Sequence, residues 1–235
     1  MLRVKLNRGN LNVSLPFARP LLMQPQTIAP TFFQMVYGAL TPDFPVAAAE
    51  LSGGAGNKLS DVFARFNLYG GVNTATLYCD RLSFEFANLI SADYPIVYDI
   101  MRRIHDALPD AFGQVGYARA EINSFIHFEV EPPGDVHHYL SRFQPTGSLQ
   151  SFDNVGELVT EPVGRFHLIG ADQTWRCRFG VEKSVSLANG IFVDLGIVLT
   201  NPSDAAPFVP FVTKLEKASR IGIATRAALE LEWDA

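Results

Sequence analysis

Cysteine is scarce: Cys79 and Cys177 are the only two in 235 residues, and they lie far apart. Such a pair builds neither a disulfide framework nor a metal knuckle, both of which need several cysteines at close spacing. No apolar run approaches the roughly 20 residues of a membrane-spanning helix. The opening Met1-Leu2-Arg3-Val4-Lys5-Leu6 alternates like a strand and lacks the apolar core of a signal peptide. A cytoplasmic protein with no membrane partner is therefore expected. Basic excess is missing too, since 19 Lys and Arg face 24 Asp and Glu, for a formal net charge of −5. Generic binding to a nucleic-acid backbone needs many cations to neutralise phosphates, so this charge balance argues against it. Nucleophile elbows of the Gly-x-Ser-x-Gly type and zinc helices of the His-Glu-x-x-His type are absent as well. No catalytic residue, cofactor or metal follows from the residues.

What is present is a large apolar content, 48% hydrophobic residues, ample for a buried core. Val97, Ile100, Met101, Ile104 and Leu108 fall at helical spacing and predict one buried helix face. Ser91 and Asp93 are capping candidates, Pro95 suits a first turn, and Pro109 to Gly113 ends the pattern. Ala118, Ala120, Ile122, Ser124, Ile126, Phe128 and Val130 then alternate with a mostly polar set, Tyr117, Arg119, Glu121, Asn123, Phe125, His127 and Glu129. One packed and one open face is the signature of an antiparallel sheet. The outline recurs from Arg165 to Ile169, Thr174 to Val181 and Ile191 to Leu199. A helix follows from about Pro207, with Phe208, Phe211, Val212, Leu215, Gly222, Thr225 and Leu229 on one side. The expected fold class is α+β in two pattern-related halves, each an antiparallel or mixed sheet with a long packed helix. Residues 1–131 and 162–235 form the halves, 132–161 connect them, and packing as one domain is left open.

The amino-terminal part is less regular. Pro16, Pro20, Pro25 and Pro30 make Leu11 to Leu22 extended at best, and Thr31 to Leu40 a short apolar helix. The Gly53 to Lys58 stretch superficially resembles a phosphate cradle but lacks the spacing and following hydroxyl of a nucleotide loop, so a plain loop is expected.

Two polar groupings stand out. Arg165, His167, Arg176 and Arg178 share one face if their strands pair across Gly170 to Gln173, and would then clamp a carboxylate, a phosphate or an acidic partner. The alternative is neutralisation by acidic neighbours such as Glu182 or Asp194, or simple solvation. Arg119, Glu121, Asn123, His127 and Glu129 make a second, partner-binding face. His127 and Glu129 with His137 and His138 match no familiar metal spacing. Glu121 and Glu129 are too far apart along one strand for a paired-carboxylate hydrolase. Cys177, between Arg176 and Arg178, points with Trp175 and Phe179, away from the arginines, as a buried structural thiol.

Asp80-Arg81-Leu82-Ser83-Phe84, Tyr94 with its helix, Val115-Gly116-Tyr117-Ala118-Arg119-Ala120-Glu121-Ile122-Asn123, and Arg165 to Leu199 with the following helix together resemble a bacterial family. Its members are uncharacterised proteins of similar length, sporadically distributed among genomes. The resemblance runs from Leu77 onward; the first forty residues depart from it. It implies a fold and a bacterial origin and supplies no catalytic residue. Two functional expectations remain. The first is a non-enzymatic binding protein with a protein partner or self-association, such as an accessory or neutralising subunit of a defence or toxin-associated system. The second is a small-ligand binder or enzyme with a cavity between sheet and helix lined by Phe84, Phe86, Phe125 or Phe128. A third, duplicated halves of RNA-binding type as in some CRISPR proteins, would make Arg165, Arg176 and Arg178 backbone contacts.

Overall fold

The computed structural model describes residues 2–21, 25–44, 51–54, 62–68, 72–131, 136–143, 163–170, 173–200 and 211–232, with side chains from residue 26 in the first helix and from residue 217 in the last. In chain order the elements are β1 (Leu2–Pro16), α1 (Pro25–Leu40), β2 (Leu51–Gly54), β3 (Phe63–Leu68), β4 (Asn73–Tyr78) and β5 (Arg81–Leu89). There follow α2 (Tyr94–Phe112), β6 (Arg119–Val130), α3 (Val136–Ser141), β7 (Gly164–Ile169), β8 (Trp175–Lys183), β9 (Gly190–Thr200), α4 (Phe211–Ala228) and β10 (Leu231–Glu232). The α+β class and the antiparallel sheet match expectation. The strands lie in one ten-stranded sheet of order β2-β3-β4-β5-β1-β6-β9-β8-β7, with β10 pairing in parallel beside the start of β1. Every other pairing is antiparallel.

The centre of the sheet is the β1/β6 pair. β1 runs fifteen residues and ends at Pro16, a position where a missing N–H removes no further ladder bond. Two register shifts, between Leu6 and Arg8 and between Gly9 and Leu11, bend it. β6 keeps the alternation expected of it: Ala120, Ile122, Ser124, Phe128 and Val130 are buried on one side. Cross-strand register carries that apolar side through Leu199, Ile197, Leu195, Val193 and Ile191 on β9 and Val13 and Leu15 on β1.

The four described α-helices cover this side. α1 lies over β3, α2 over β5, α3 over β8 and α4 over β9. α1 begins earlier than its Thr31 to Leu40 apolar stretch and holds Pro30 inside it, because Ile28, Phe32, Val36 and Leu40 form one buried stripe. α2 buries Val97, Ile100, Met101, Ile104 and Leu108 as its spacing demands, and Gly113 ends it with φ 76° and an N–H bonded to the Pro109 carbonyl. α4 turns Ala218, Ile221 and Thr225 inward, with Leu229 buried just beyond its end. The aromatic heart is Phe32, Phe66, Phe84, Phe86 and Phe128, each essentially inaccessible. Truncating any one to alanine is worth about 3–5 kcal/mol of stability.

Of the sequence expectations, Ala55 to Lys58 of the Gly-rich stretch, residues 132–135 and 144–161 of the connecting segment, and Phe208 fall outside the described residues. The short helix expected from Val136 to Phe143 is present as α3.

Candidate binding surface

Strand parity sends the remaining side chains to the opposite face of the sheet, and none of the described helices covers it. Four cross-strand rows define its centre and one end. Ser14, Glu121, Val198, Arg176 and Ile169 form the first, and Asn12, Asn123, Gly196, Arg178 and His167 the second. Asn10, Phe125, Asp194, Gly180 and Arg165 form the third, and Arg8, His127, Phe192 and Glu182 the fourth. The two groupings read from the sequence therefore share one face, separated by β9. The β7/β8 hairpin does bring Arg165, His167, Arg176 and Arg178 to one side, with His167 directly opposite Arg178.

They meet at a notch. Gly196 has no side chain, and Asn123 and Arg178 lean over it: a methyl group there would sit 3.1 Å from Asn123 Oδ1 and 3.7 Å from Arg178 Nη2. The resulting depression, about 370 Å³, is lined among others by Asn123, His167, Arg176, Arg178 and Val198. Two guanidiniums and an imidazole converging on a half-apolar hollow suit a carboxylate or another small anion. Arg178 is positioned by Asp194, its Nη2 lying 3.2 Å from Oδ2. That neutralisation is one of the two outcomes foreseen for the cluster, and among the described residues it applies to Arg178 alone: Arg165 lies opposite Gly180, and Arg176 stands between Val198 and Ile169.

The β6 side is quieter. Arg119 donates to the Glu121 carboxylate two residues along the strand, and Glu129 lies across from Lys5. Phe125 and Phe192 stack with centroids 6.5 Å apart and planes within 7°. His127 packs on Phe192 at 4.8 Å, and its Nδ1 is 2.9 Å from Ser184 Oγ. Ser184 Oγ accepts the backbone N–H groups of Ser186 and Leu187, both at 3.1 Å, so its own proton points to His127 Nδ1. His127 is thus held neutral with its proton on Nε2. Burial first and the nearby Arg8 second push its pKa below the usual value. This makes His127 a structural residue at the edge of the surface; His137 and His138 are exposed on α3, away from it.

The other chemical candidates settle inward. Cys177 is buried beside Thr225, as expected of a structural thiol, and burial raises its pKa. Cys79 is buried too, its pKa raised by burial and then by Asp80. The cavity expected around Phe84, Phe86, Phe125 and Phe128 is not formed by them: three are packed solid in the core, and Phe125 lies on the opposite face. Sequence reasoning missed Phe192, Gly196, Arg8 and Ser184 as members of the surface. Strand parity on β9 and β1 is the signal that reaches the first three.

No family model matches the chain, and comparison with curated proteins returns no match.

Proposed function

We propose that this chain is a non-enzymatic binding protein that uses the open sheet face to hold an acidic protein segment, seating a carboxylate in the Gly196 notch. The supporting observation is the local concentration of Arg165, His167, Arg176 and Arg178 in a chain whose net charge is −5. Opposite charge placed there steers encounter and fixes register. Glu121, Asp194 and Glu182 are interleaved on the same face, so a continuous polyanion meets repulsion at each, whereas a discrete carboxylate fits between them. A protein segment is therefore favoured over RNA.

The strand order also supports a reading in two pattern-related halves, though with the division falling before β6 rather than after residue 131 as the sequence suggests. β1 and β6 lie side by side at the centre, and each leads into a helix and then an antiparallel meander whose last strand returns to pair with its own first, β5 with β1 and β9 with β6. A long helix, α2 or α4, follows each meander. In this reading the cytoplasm is the setting, consistent with two buried free thiols.

A fluorescein-labelled peptide carrying isolated glutamates spaced by neutral residues provides the test, with oligouridylate as the comparison, both titrated by anisotropy over a salt series. The acidic peptide binds in a salt-dependent manner, and Arg176→Ala with Arg178→Ala weakens it at least about tenfold while the melting temperature moves little, since both sites are exposed. Failure to bind the peptide, binding indifferent to the two arginines, or tighter binding of oligouridylate overturns the reading.

A further inference from the structure

On the covered side of the sheet, α2 and α4 meet only lightly, and the gap between them is a groove of about 820 Å³. Its floor is the centre of the sheet, where Leu11, Ile122, Ile126, Leu195 and Ile197 come from β1, β6 and β9. Tyr94 and Met101 of α2 form one wall; the other is α4, where Ala218 and Gly222 are too small to fill the space. The nearest atom to a methyl built on Gly222 is Leu195 Cδ2 at 3.8 Å, an ordinary van der Waals contact, so the glycine leaves room for one small group without conflict.

The lining is mostly apolar but not wholly so. The Tyr94 hydroxyl is buried in the wall behind this lining; among the described residues its nearest polar neighbour is Ser124, between Ile122 and Ile126 on the same side of β6. Arg220, exposed on α4, also lines the groove and makes no ion pair among the described residues. A mostly apolar trough of ligand size with two arginines, Arg220 and Arg226, at its margin matches an amphiphile with a negative head.

We infer that the groove between α2 and α4 is a binding site for a long-chain carboxylate, the acyl chain lying on the β1/β6/β9 floor and the carboxylate meeting Arg220. The size of the groove, within the range of small-ligand pockets, and the cationic margin given by Arg220 and Arg226 favour this occupant over a partner helix. The site lies on the other face of the sheet from the Gly196 notch, so the two stand or fall separately.

Palmitate and hexadecanol are titrated against the full chain with an environment-sensitive acyl fluorophore as the displaced probe, and native mass spectrometry gives the stoichiometry. The expected result is saturable 1:1 binding of palmitate. Gly222→Leu, which fills the trough with a residue better suited to a helix interior, abolishes binding while circular dichroism and the melting temperature are retained. Arg220→Met weakens palmitate about tenfold and leaves hexadecanol unchanged. If Gly222→Leu perturbs the fold, Ala218→Val provides a second, milder obstruction with the same expected loss. The inference is overturned by absent or non-saturable binding, by palmitate binding indifferent to these substitutions, by equal preference for the alcohol, or by a dimer whose formation the same substitutions prevent.

Discussion

Gly9 and Tyr94 share a space that holds either a methyl group or a hydroxyl, and substituting them separately and together tests the packing at the centre of the sheet. Gly9 sits at the register shift of β1, and a Cβ built on it falls 2.6 Å from Tyr94 Oη. The backbone at Gly9 is not left-handed, so alanine is conformationally acceptable and the steric conflict is the whole penalty. Tyr94 opens α2 and cannot swing freely, because its ring packs against the core. Overpacking of this size costs about 1–3 kcal/mol, which for a chain of this length lowers the melting temperature by roughly 2–10 °C. Tyr94→Phe alone removes a buried hydroxyl that has at most the neighbouring Ser124 as a partner among the described residues, so stability changes by about 1 kcal/mol or less. In the double variant the alanine methyl occupies the vacated site, and the loss seen with Gly9→Ala is largely recovered, a coupling of about 1–2 kcal/mol. Urea denaturation of the four proteins at constant m-value measures it. A Gly9→Ala midpoint equal to the parent, or a double variant no more stable than Gly9→Ala, would refute the placement of Tyr94 against β1.

Other outcomes follow from the polar groups. Because His127 has its pKa lowered in the folded state, the neutral form is favoured there: its contribution to stability is whole above the unfolded value of about 6.5 and is lost as pH falls through the folded value. The urea midpoint should therefore decline on acidification below that value, His127→Gln should flatten the decline, and an unchanged slope would remove His127 as its source. Buried thiols raised by desolvation make Cys79 and Cys177 slow toward an aromatic disulfide reagent at pH 8, with labelling at least about a hundredfold faster in denaturant. Fast labelling of either cysteine in the native protein contradicts its burial.

The parts of this fold legible in the sequence are those whose burial repeats locally. α2 could be read because Val97, Ile100, Met101, Ile104 and Leu108 are large, and each turn of helix brings one or two of them back to the same side. β6 was equally readable, since twelve residues alternate with one register throughout. α4 was read less well: its inward positions include Ala218, Gly222 and Thr225, whose small or polar side chains give weak contrast with the outward ones. β1 was obscured by its two register shifts, each of which breaks the period-two pattern while the pairing continues. That all strands join one sheet was not legible, because β5 reaches β1 and β9 reaches β6 across long stretches of intervening chain.

The surface shows the same limit in sharper form. Parity alone assigned Arg165, His167, Arg176 and Arg178 to one side, and the hairpin register made that correct. What surrounds each arginine depends on which residue of β9 stands opposite β8, a property of register that no local pattern contains. That register puts Gly196 beside Arg178 and Asp194 two residues away, so one glycine opens the notch while one carboxylate neutralises one of its cations. Arg165 and Arg176, facing Gly180 and Val198, form no ion pair among the described residues. Exposed pairs such as Arg178 with Asp194 contribute about 0–1 kcal/mol to stability, so Asp194 matters chiefly for aiming the guanidinium over Gly196. Removing Asp194 frees Arg178 electrostatically and loosens it geometrically. An acidic ligand held by charge alone then binds more tightly to Asp194→Asn, whereas one seated in the notch binds less tightly, and the sign of that single change separates a basic patch from a shaped site.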